Sequence, residues 1–364
     1  MNKLVVVILL TSLPLHAADW PVARGDAAMT GVADTKLPDQ LQEFWTFKTG
    51  NSIDSAPVIV GDTVYVSSGD KHLYALELKT GKPIWKTNLE APLKAAPAVD
   101  KGVVYVANSD GKLFAVEAAT GKVKWNFEAQ GEVTAGANFH NGNILFGSHD
   151  NTLYCLSPLG KKLWEFKIDG PVNGSPAVVG DRTFVAGCDS MLHVLDANTG
   201  KSQGSVDLGG QAGATAAVVG NSVYVGTMSN TVVAVDWKNL KKQWSFEAPR
   251  RQQPFYSSAA VTENSVLVGS RDKKLYALDR FTGKEQWSFI TEGQVDGSPL
   301  VVGNRVYIGS QNSDGHFFVL DLKTGKKLQM IELDSAVNGS PAAGPNCVIV
   351  GTEKGTLYCF GDKI

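Results

Sequence analysis

One pattern recurs along the whole of this chain, with a period of about 40 residues that is typical of repeat architectures. Residues 73–85 read as a strand (LYALE), a Thr-Gly-Lys turn and a second strand that begins near Trp85. Seven further copies follow, the last of them cut short, and they start at Leu113, Leu153, Leu192, Val232, Leu275, Phe317 and Leu357. Such even spacing indicates one supersecondary unit repeated in series. Since no such unit buries its apolar faces alone, the repeats must share one domain.

Each complete repeat contains four short strands. In the first, apolar runs at 57–60 and 64–66 precede the strand at 73–77, and the fourth strand begins at Trp85. Two-residue turns such as Gly61-Asp62 and Gly220-Asn221 favour tight hairpins between them. Four antiparallel strands in about 40 residues are typical of a propeller blade. The eight copies of the third strand therefore predict an all-β fold, an eight-bladed β-propeller of four-stranded antiparallel blades.

The last copy lacks its final strand, and the N-terminal region carries a strand without a repeat. Residues 42–48 (QEFWTFK) alternate in polarity, and Trp45 precedes Trp85 by the same interval that separates Trp85 from Trp125. The chain's final copy stops at Phe360, after its third strand. We predict that residues 42–48 pair beside residues 357–360 and close the ring, because closure removes the open sheet edges.

A tryptophan marks the fourth strand in six copies: Trp45, Trp85, Trp125, Trp164, Trp244 and Trp287. The other two copies have Gly204 and Gln329 there, and in them the small third-strand residue becomes Val194 or Val319. This exchange of volume is typical of a packed interface, so we interpret these tryptophans as blade-docking residues. Trp237 falls at a turn position, where we expect it to contribute far less.

The chain divides into three parts. Residues 1–18 have Lys3, an apolar run and small residues near Ala18, the pattern of a signal peptide, and the run is shorter than the roughly 20 residues of a membrane span. Residues 19–41 form an extended lead-in that Trp20 anchors, and residues 42–364 form the propeller. We therefore expect a periplasmic or secreted monomer with no transmembrane segment in the mature chain.

Composition excludes several classes of function. The 34 basic and 36 acidic residues nearly balance, which argues against nucleic acid as a partner. Cys155 and Cys359 occupy the small third-strand position and are expected in the core, whereas the pairing of Cys188 and Cys347 stays open. There is no nucleophile elbow or phosphate loop, and the histidines occupy unrelated repeat positions.

One repeat position just before the first strand varies while its neighbours do not. Eightfold geometry places this set, here called the ring, around one mouth of the central channel: Asp54, Lys94, Thr134, Asn173, Gly213, Tyr256, Asp296 and Asn338. We predict that Asp54, Lys94, Asn173, Tyr256, Asp296 and Asn338 contact a ligand or partner. The alternative is a ring that only channel water solvates.

Two loops depart from the minimal blade. The link at 248–256 is three residues longer than its counterparts and includes Arg250 and Arg251, and the loop at 311–316 is two residues longer. Strand alternation places both on the face of the ring, and insertions on one face of a repeat array often mark the binding face. Paired arginines suit a carboxylate partner. We expect a mixed-charge funnel at this mouth.

The motif Ala277-x-Asp279-x-x-Thr282-Gly283-x-x-x-Trp287 resembles the tryptophan-docking repeat of PQQ-type quinoprotein dehydrogenase propellers, and it is similar to that of the BamB-like envelope proteins. The BamB-like resemblance implies an exported, non-catalytic scaffold that binds an envelope protein or small ligand at the channel mouth, with no cofactor. The quinoprotein resemblance implies the alternative, a dehydrogenase or electron-transfer accessory with PQQ and calcium. However, the chain has no adjacent cysteine pair and no residue that maps onto the base or metal ligands. A carbohydrate- or peptide-binding module is a second alternative.

Overall fold

Eight antiparallel β-sheets form a closed ring in the computed structural model, which describes residues 19–249 and 253–361. Within these residues each sheet has four antiparallel strands, and blade 7 gains a fifth, parallel strand from the lead-in, Val32–Ala33. First strands of successive blades lie side by side, and that of blade 8 lies beside that of blade 1. The prediction of an eight-bladed β-propeller is confirmed. The described part of the chain has no helix that could cross a membrane.

The strands of each blade run in order from the channel outward. Those of blades 1 to 4 are Val58–Val60, Thr63–Ser67, His72–Glu77 and Pro83–Asn88; Ala98–Asp100, Val103–Ala107, Lys112–Glu117 and Val123–Glu128; Asn138–His140, Asn143–Ser148, Thr152–Leu156 and Lys162–Lys167; and Ala177–Val179, Arg182–Ala186, Met191–Asp196 and Ser202–Asp207. Those of blades 5 to 8 are Ala217–Val219, Ser222–Gly226, Thr231–Asp236 and Lys241–Glu247; Ala260–Val261, Ser265–Ser270, Lys274–Asp279 and Glu285–Ile290; Leu300–Val302, Arg305–Gly309, His316–Asp321 and Lys327–Glu332; and Ala342–Gly344, Cys347–Gly351, Thr356–Gly361 and Glu43–Lys48.

The middle strands of each blade form its core. In blade 1, Thr63–Ser67 and His72–Glu77 are buried along most of their length, whereas Pro83–Asn88 alternates between half-buried and exposed side chains. The middle strands are apolar on both faces because neighbouring blades cover both faces. Cys155 and Cys359 are fully buried at the small third-strand position, as expected, and all four cysteines are free thiols.

The N-terminal strand closes the ring. Glu43–Lys48 pairs antiparallel with Thr356–Gly361, and Trp45 lies opposite Cys359. Lys48 adds an ion pair with Asp334 at 3.4 Å, at the start of blade 8. The predicted closure is therefore confirmed, and the last blade is built from both ends of the described chain.

Each docking tryptophan packs on the turn of the next blade. The Trp45 indole donates a hydrogen bond to the Leu78 carbonyl at 2.8 Å and covers Gly81. Gly81 has φ +67°, and a Cβ there would lie 2.5 Å from the indole. The glycine of the Thr-Gly-Lys turn is thus required both by the turn and by the ring packed against it. The indoles of four other copies make the same hydrogen bond: Trp85, Trp125, Trp244 and Trp287.

At the interface between blades 4 and 5, a side chain of blade 5 fills the space that the tryptophan of the preceding blade occupies elsewhere. Gly204 faces Leu240, which stands at the turn position of blade 5 where other blades have glycine, and a Cβ at Gly204 would lie 2.3 Å from Leu240 Cδ1. Trp237 is half-buried and packs edge-on against Phe184 at 5.4 Å. The sequence placed Trp237 in a turn and missed this contact, because the contact belongs to the neighbouring blade.

The lead-in runs through the channel and contacts the blades in order. Trp20 exchanges main-chain hydrogen bonds with Ile59 of blade 1, and the Asn138 side chain of blade 3 donates to the Ala27 carbonyl. Five inner-strand amides also donate to lead-in carbonyls: Val99 to Pro21, Val178 to Ala27, Val218 to Ala28, Val261 to Thr30 and Val301 to Gly31, at 2.7–3.0 Å. The Thr35 hydroxyl reaches the Gly344 carbonyl of blade 8.

These hydrogen bonds pair the inner edges of the sheets. The innermost strand of a blade has no neighbour on the channel side, so its amides would otherwise remain unpaired by protein. The lead-in then leaves the channel at the blade 7–8 interface, where Gln329 replaces the docking tryptophan. The Gln329 amide exchanges two hydrogen bonds with the Leu41 main chain, at 2.8 and 2.9 Å. The lead-in is therefore built into the ring.

We expect Trp45→Ala to lower the free energy of unfolding by about 3–5 kcal/mol, the usual loss for a large buried aromatic. Trp45 is 8% exposed, whereas Trp125, which makes the same hydrogen bond, is half-buried. Trp125→Ala should therefore cost about half as much, because less apolar area leaves water on folding. Urea denaturation followed by circular dichroism measures both. Equal losses in the free energy of unfolding would contradict the inference that burial of the indole sets its contribution to stability.

Truncation should separate the two roles of the N-terminal region. A chain that begins at residue 42 keeps the closing strand but exposes the inner strand edges, so we expect a lower melting temperature than for a chain that begins at residue 19. A chain that begins at residue 49 also loses the outer strand of blade 8 and should melt lower still. Differential scanning calorimetry measures all three. An unchanged melt for the shortest chain would be incompatible with closure by Glu43–Lys48.

Candidate functional site

The ring and the lead-in enclose a cavity at one end of the channel. The cavity, here called the cup, has a volume of about 170 Å³. Seven ring residues line it: Asp54, Lys94, Thr134, Asn173, Gly213, Asp296 and Asn338. Ala23 and Arg24 of the lead-in also line it. Because the lead-in crosses the middle of the inner strands and the ring precedes those strands, the lead-in forms the floor and the ring forms the mouth.

Tyr256, the eighth ring residue, stands beside the cup rather than in its lining. Its ring covers Gly213, where a Cβ would lie 2.7 Å from Tyr256 Cδ1. The guanidinium carbon of Arg271 lies 4.1 Å from the centre of the Tyr256 ring. Arg271 in turn donates to both carboxylate oxygens of Asp296, at 2.8 and 2.7 Å. The hydrogen bond to Asp296 raises the pKa of Arg271.

Other ring residues are also held by polar partners at the mouth. Lys94 pairs with Glu132 at 3.0 Å, and the Asn338 amide donates to Asp54 at 2.9 Å. The Asn173 amide donates to the Cys188 sulfur at 3.0 Å. The mouth therefore carries both signs of charge, as the sequence predicted. Contact of these residues with a ligand or partner stays a prediction.

Of the two longer loops, the structure describes all of residues 311–316 but only part of residues 248–256. The Gln311 side chain donates to Asp296 at 3.0 Å, which places the start of the 311–316 loop at the mouth. In the other loop, Phe255 donates its amide to the Thr227 carbonyl, and Pro254 accepts from the Arg271 amide. These bonds place residues 254–255 beside the mouth turns of blades 5 and 6. Arg250 and Arg251 lie outside the described residues.

One side of the cup wall is a chain of hydroxyl groups that the sequence interpretation missed. Two positions after the ring, blades 4 to 8 carry a hydroxyl group: Ser175, Thr215, Ser258, Ser298 and Ser340. Each of the last four accepts a hydrogen bond from the backbone amide of the preceding member, at 2.8–3.0 Å. Blades 1 to 3 have Ala56, Ala96 and Gly136 at this position. Alignment of the repeats by position would have revealed this division.

Arg24, in the cup floor, was also missed. It is 2% exposed, and Nη2 donates to the carbonyl oxygens of Pro299 at 2.7 Å and Ala259 at 3.4 Å. Burial lowers the pKa of Arg24 to about 10, so the side chain is still a cation at neutral pH. A single arginine in a segment without periodicity gave no sign of its position in the channel.

The cup does not fit a PQQ and calcium site. A volume of about 170 Å³ is small beside the roughly 300–1,000 Å³ usual for larger ligands, and PQQ is a tricyclic tricarboxylate. No indole lines the cup, and within the described residues no three His, Cys, Asp or Glu side chains converge as metal ligands. Asp54 and Asp296 are engaged by Asn338 and Arg271. The cup therefore lacks the volume for the cofactor of the quinoprotein alternative, and its described residues supply no set of calcium ligands.

A family model now identifies the propeller. The model for the beta-propeller of the beta-alanine-activating enzyme matches residues 100–362. The chain belongs to this family. A second model, described as outer membrane protein assembly factor BamB, matches residues 38–141, and the predicted PQQ-like, BamB-similar repeat is confirmed. No curated protein matches the chain.

Solved structures share the fold of this family member at low identity. BamB from Moraxella catarrhalis is 18% identical with a TM-score of 0.75, over 89% of this chain and 98% of that chain. Quinohemoprotein alcohol dehydrogenase from Comamonas testosteroni is 15% identical with a TM-score of 0.81, over 94% and 80%. The computationally designed Ika8 protein is 20% identical with a TM-score of 0.77, over 88% and 100%. Since these proteins differ so widely, the likeness shows the fold alone.

Thr215 provides a test of the hydroxyl chain. Its hydroxyl oxygen accepts from the buried Ser175 amide at 2.9 Å. Thr215→Val keeps the shape but leaves that amide unpaired, so we expect a loss of about 1–3 kcal/mol in the free energy of unfolding. Thr215→Ser keeps the oxygen and should unfold close to the original protein in urea. If the valine and serine variants unfold at the same urea concentration, the hydroxyl chain does not stabilise the cup wall.

Proposed function

We propose that this propeller is exported to the cell envelope and acts there as a non-catalytic scaffold that holds a partner protein against the channel mouth. The observation that carries the proposal is the closed channel. The lead-in crosses the channel and forms the floor of the cup, and the mouth above it is the face at which variable polar residues collect. The rim pairs of Arg271 with Asp296 and Lys94 with Glu132 present both charges to a partner.

The opposite face is more uniform. It carries the Thr-Gly turns, whose exposed lysines repeat from blade to blade. The glycines of these turns pack against the docking tryptophans of the neighbouring blades. Complementary charges at an interface raise the association rate and exclude wrong partners. A face with ion pairs of varied arrangement is better suited to recognition of one partner than a face of repeated turns. The signal-like residues 1–18 and the likeness to BamB support the envelope as the place of action.

Charge reversal on one face at a time tests this proposal. The mouth variant combines Lys94→Glu with Arg250→Glu and Arg251→Glu, two residues that the sequence predicts on the same face. The matched control combines Lys82→Glu, Lys122→Glu and Lys284→Glu, which make the same change of charge in turns of the opposite face. We expect the tagged protein to recover a cross-linked partner from envelope extract, the control to recover as much, and the mouth variant to recover about tenfold less.

The comparison requires equal melting temperatures for the three proteins. Equal recovery by the mouth variant and the control would exclude the mouth as the docking face. Recovery lost only in the control would place the partner on the turns instead. Either outcome would overturn the proposal.

A further inference from the structure

Arg24 is a buried cation that forms no hydrogen bond or ion pair with a carboxylate of the described residues. Its Nη2 is satisfied by two carbonyl oxygens, but Nε and Nη1 have no hydrogen-bond partner among the described residues. Asp26, two positions along, accepts instead from the amide and the hydroxyl of Thr30. Asp26 acts on Arg24 only through space, by a Coulombic attraction smaller than the effect of burial, and no carboxylate bonds the guanidinium directly. A buried charge without a directly bonded partner is costly, so the cup floor favours an anion.

The hydroxyl chain adds hydrogen-bond donors beside this cation. A serine or threonine hydroxyl has one proton to donate, and its oxygen accepts. In Thr215, Ser258, Ser298 and Ser340 the oxygen already accepts a backbone amide, so the proton is available to the cup. Ser258 and Ser298 directly precede Ala259 and Pro299, whose carbonyl groups hold Arg24. The cation and these donors thus lie in one half of the cup.

The other half has small side chains at the corresponding positions, and the Ser55 hydroxyl is the polar group beside them. Ala56, Ala96 and Gly136 occupy the corresponding positions in blades 1 to 3 and line the same cavity. Two of the remaining charged lining residues, Lys94 and Asp296, are already paired at the mouth with Glu132 and Arg271. Asp54 accepts hydrogen bonds from Ser52 and Asn338. Below the mouth, the cup therefore offers one cation, an arc of donors and, on the other side, small side chains with the single hydroxyl of Ser55.

We infer that the cup binds a small organic carboxylate, with its carboxyl group toward Arg24 and the hydroxyl arc and its hydrocarbon part against Ala56, Ala96 and Gly136. Guanidinium and hydroxyl groups are the donors that carboxylates prefer. The volume of about 170 Å³ limits the ligand to a small molecule. This ligand lies below the mouth, so its binding is separate from the docking of a partner protein at the mouth.

Calorimetric titration of the purified chain from residue 19 tests the inference with defined probes. Acetate, butyrate and benzoate are compared with acetamide, butyramide and benzamide, which keep the shape and remove the charge. We expect saturable binding of at least one carboxylate, about tenfold or more tighter than its amide, and a raised melting temperature. Chloride and phosphate serve as inorganic probes and should bind more weakly than the preferred carboxylate.

Variants assign the binding to the cup. Arg24→Gln should weaken the preferred carboxylate about tenfold or more without weakening its amide, and Arg24→Lys should retain part of the preference. Ser298→Ala keeps Arg24 and should weaken the carboxylate several-fold. Arg182→Gln, on the second strand of blade 4 beside the opposite face, is the matched control and should bind as the original protein does. If Arg24→Gln does not fold, Ser298→Ala and the comparison of carboxylates with amides still test whether the carboxylate binds in the cup.

Several results would overturn the inference. They are the absence of any carboxylate binding, equal affinity for amides, equal or tighter binding of chloride or phosphate, and unchanged affinity in folded Arg24→Gln. None of them depends on recovery of a partner protein. The carboxylate site and the docking scaffold can therefore fail independently.

Discussion

The pairing of Glu43–Lys48 with Thr356–Gly361 is the interaction on which the rest of the structure depends. It completes blade 8, and it holds the N-terminal region against the outside of the ring at a fixed point. Because Leu41 is bound to Gln329 at the blade 7–8 interface, the preceding residues pass inward to the channel. The cup has a floor because both parts of the N-terminal region are held.

The blade interfaces show how a repeat tolerates exceptions. Most of them pack a tryptophan on the glycine of the next turn. Where the tryptophan is missing, either Leu240 fills the space from the next blade or Gln329 binds the lead-in. Each solution preserves dense contact, as a close-packed interface requires. The space between the blades is thus filled at these interfaces although the residue type differs.

The candidate site lies where packing constrains side chains least. Residues of the ring differ from blade to blade, and Arg271, Asp296 and Tyr256 form a connected group that no single repeat contains. Below them, hydroxyl groups occupy one arc of the wall and small side chains occupy most of the other. The propeller supplies eight equivalent positions, and the differences among them make the two sides of the cup unlike.

The sequence alone determined the blade number, the closing strand and the ring. These follow from the repeat period, because most copies carry glycine, tryptophan and apolar residues at the same repeat positions. Only the tertiary structure decided that the lead-in enters the channel, that Arg24 lies in the cup floor and that Trp237 packs on Phe184. Arg24 meets Pro299 across 275 positions of sequence, and the lead-in has no period that could locate it. Such contacts arise when the closed ring brings distant residues together, so local patterns do not contain them.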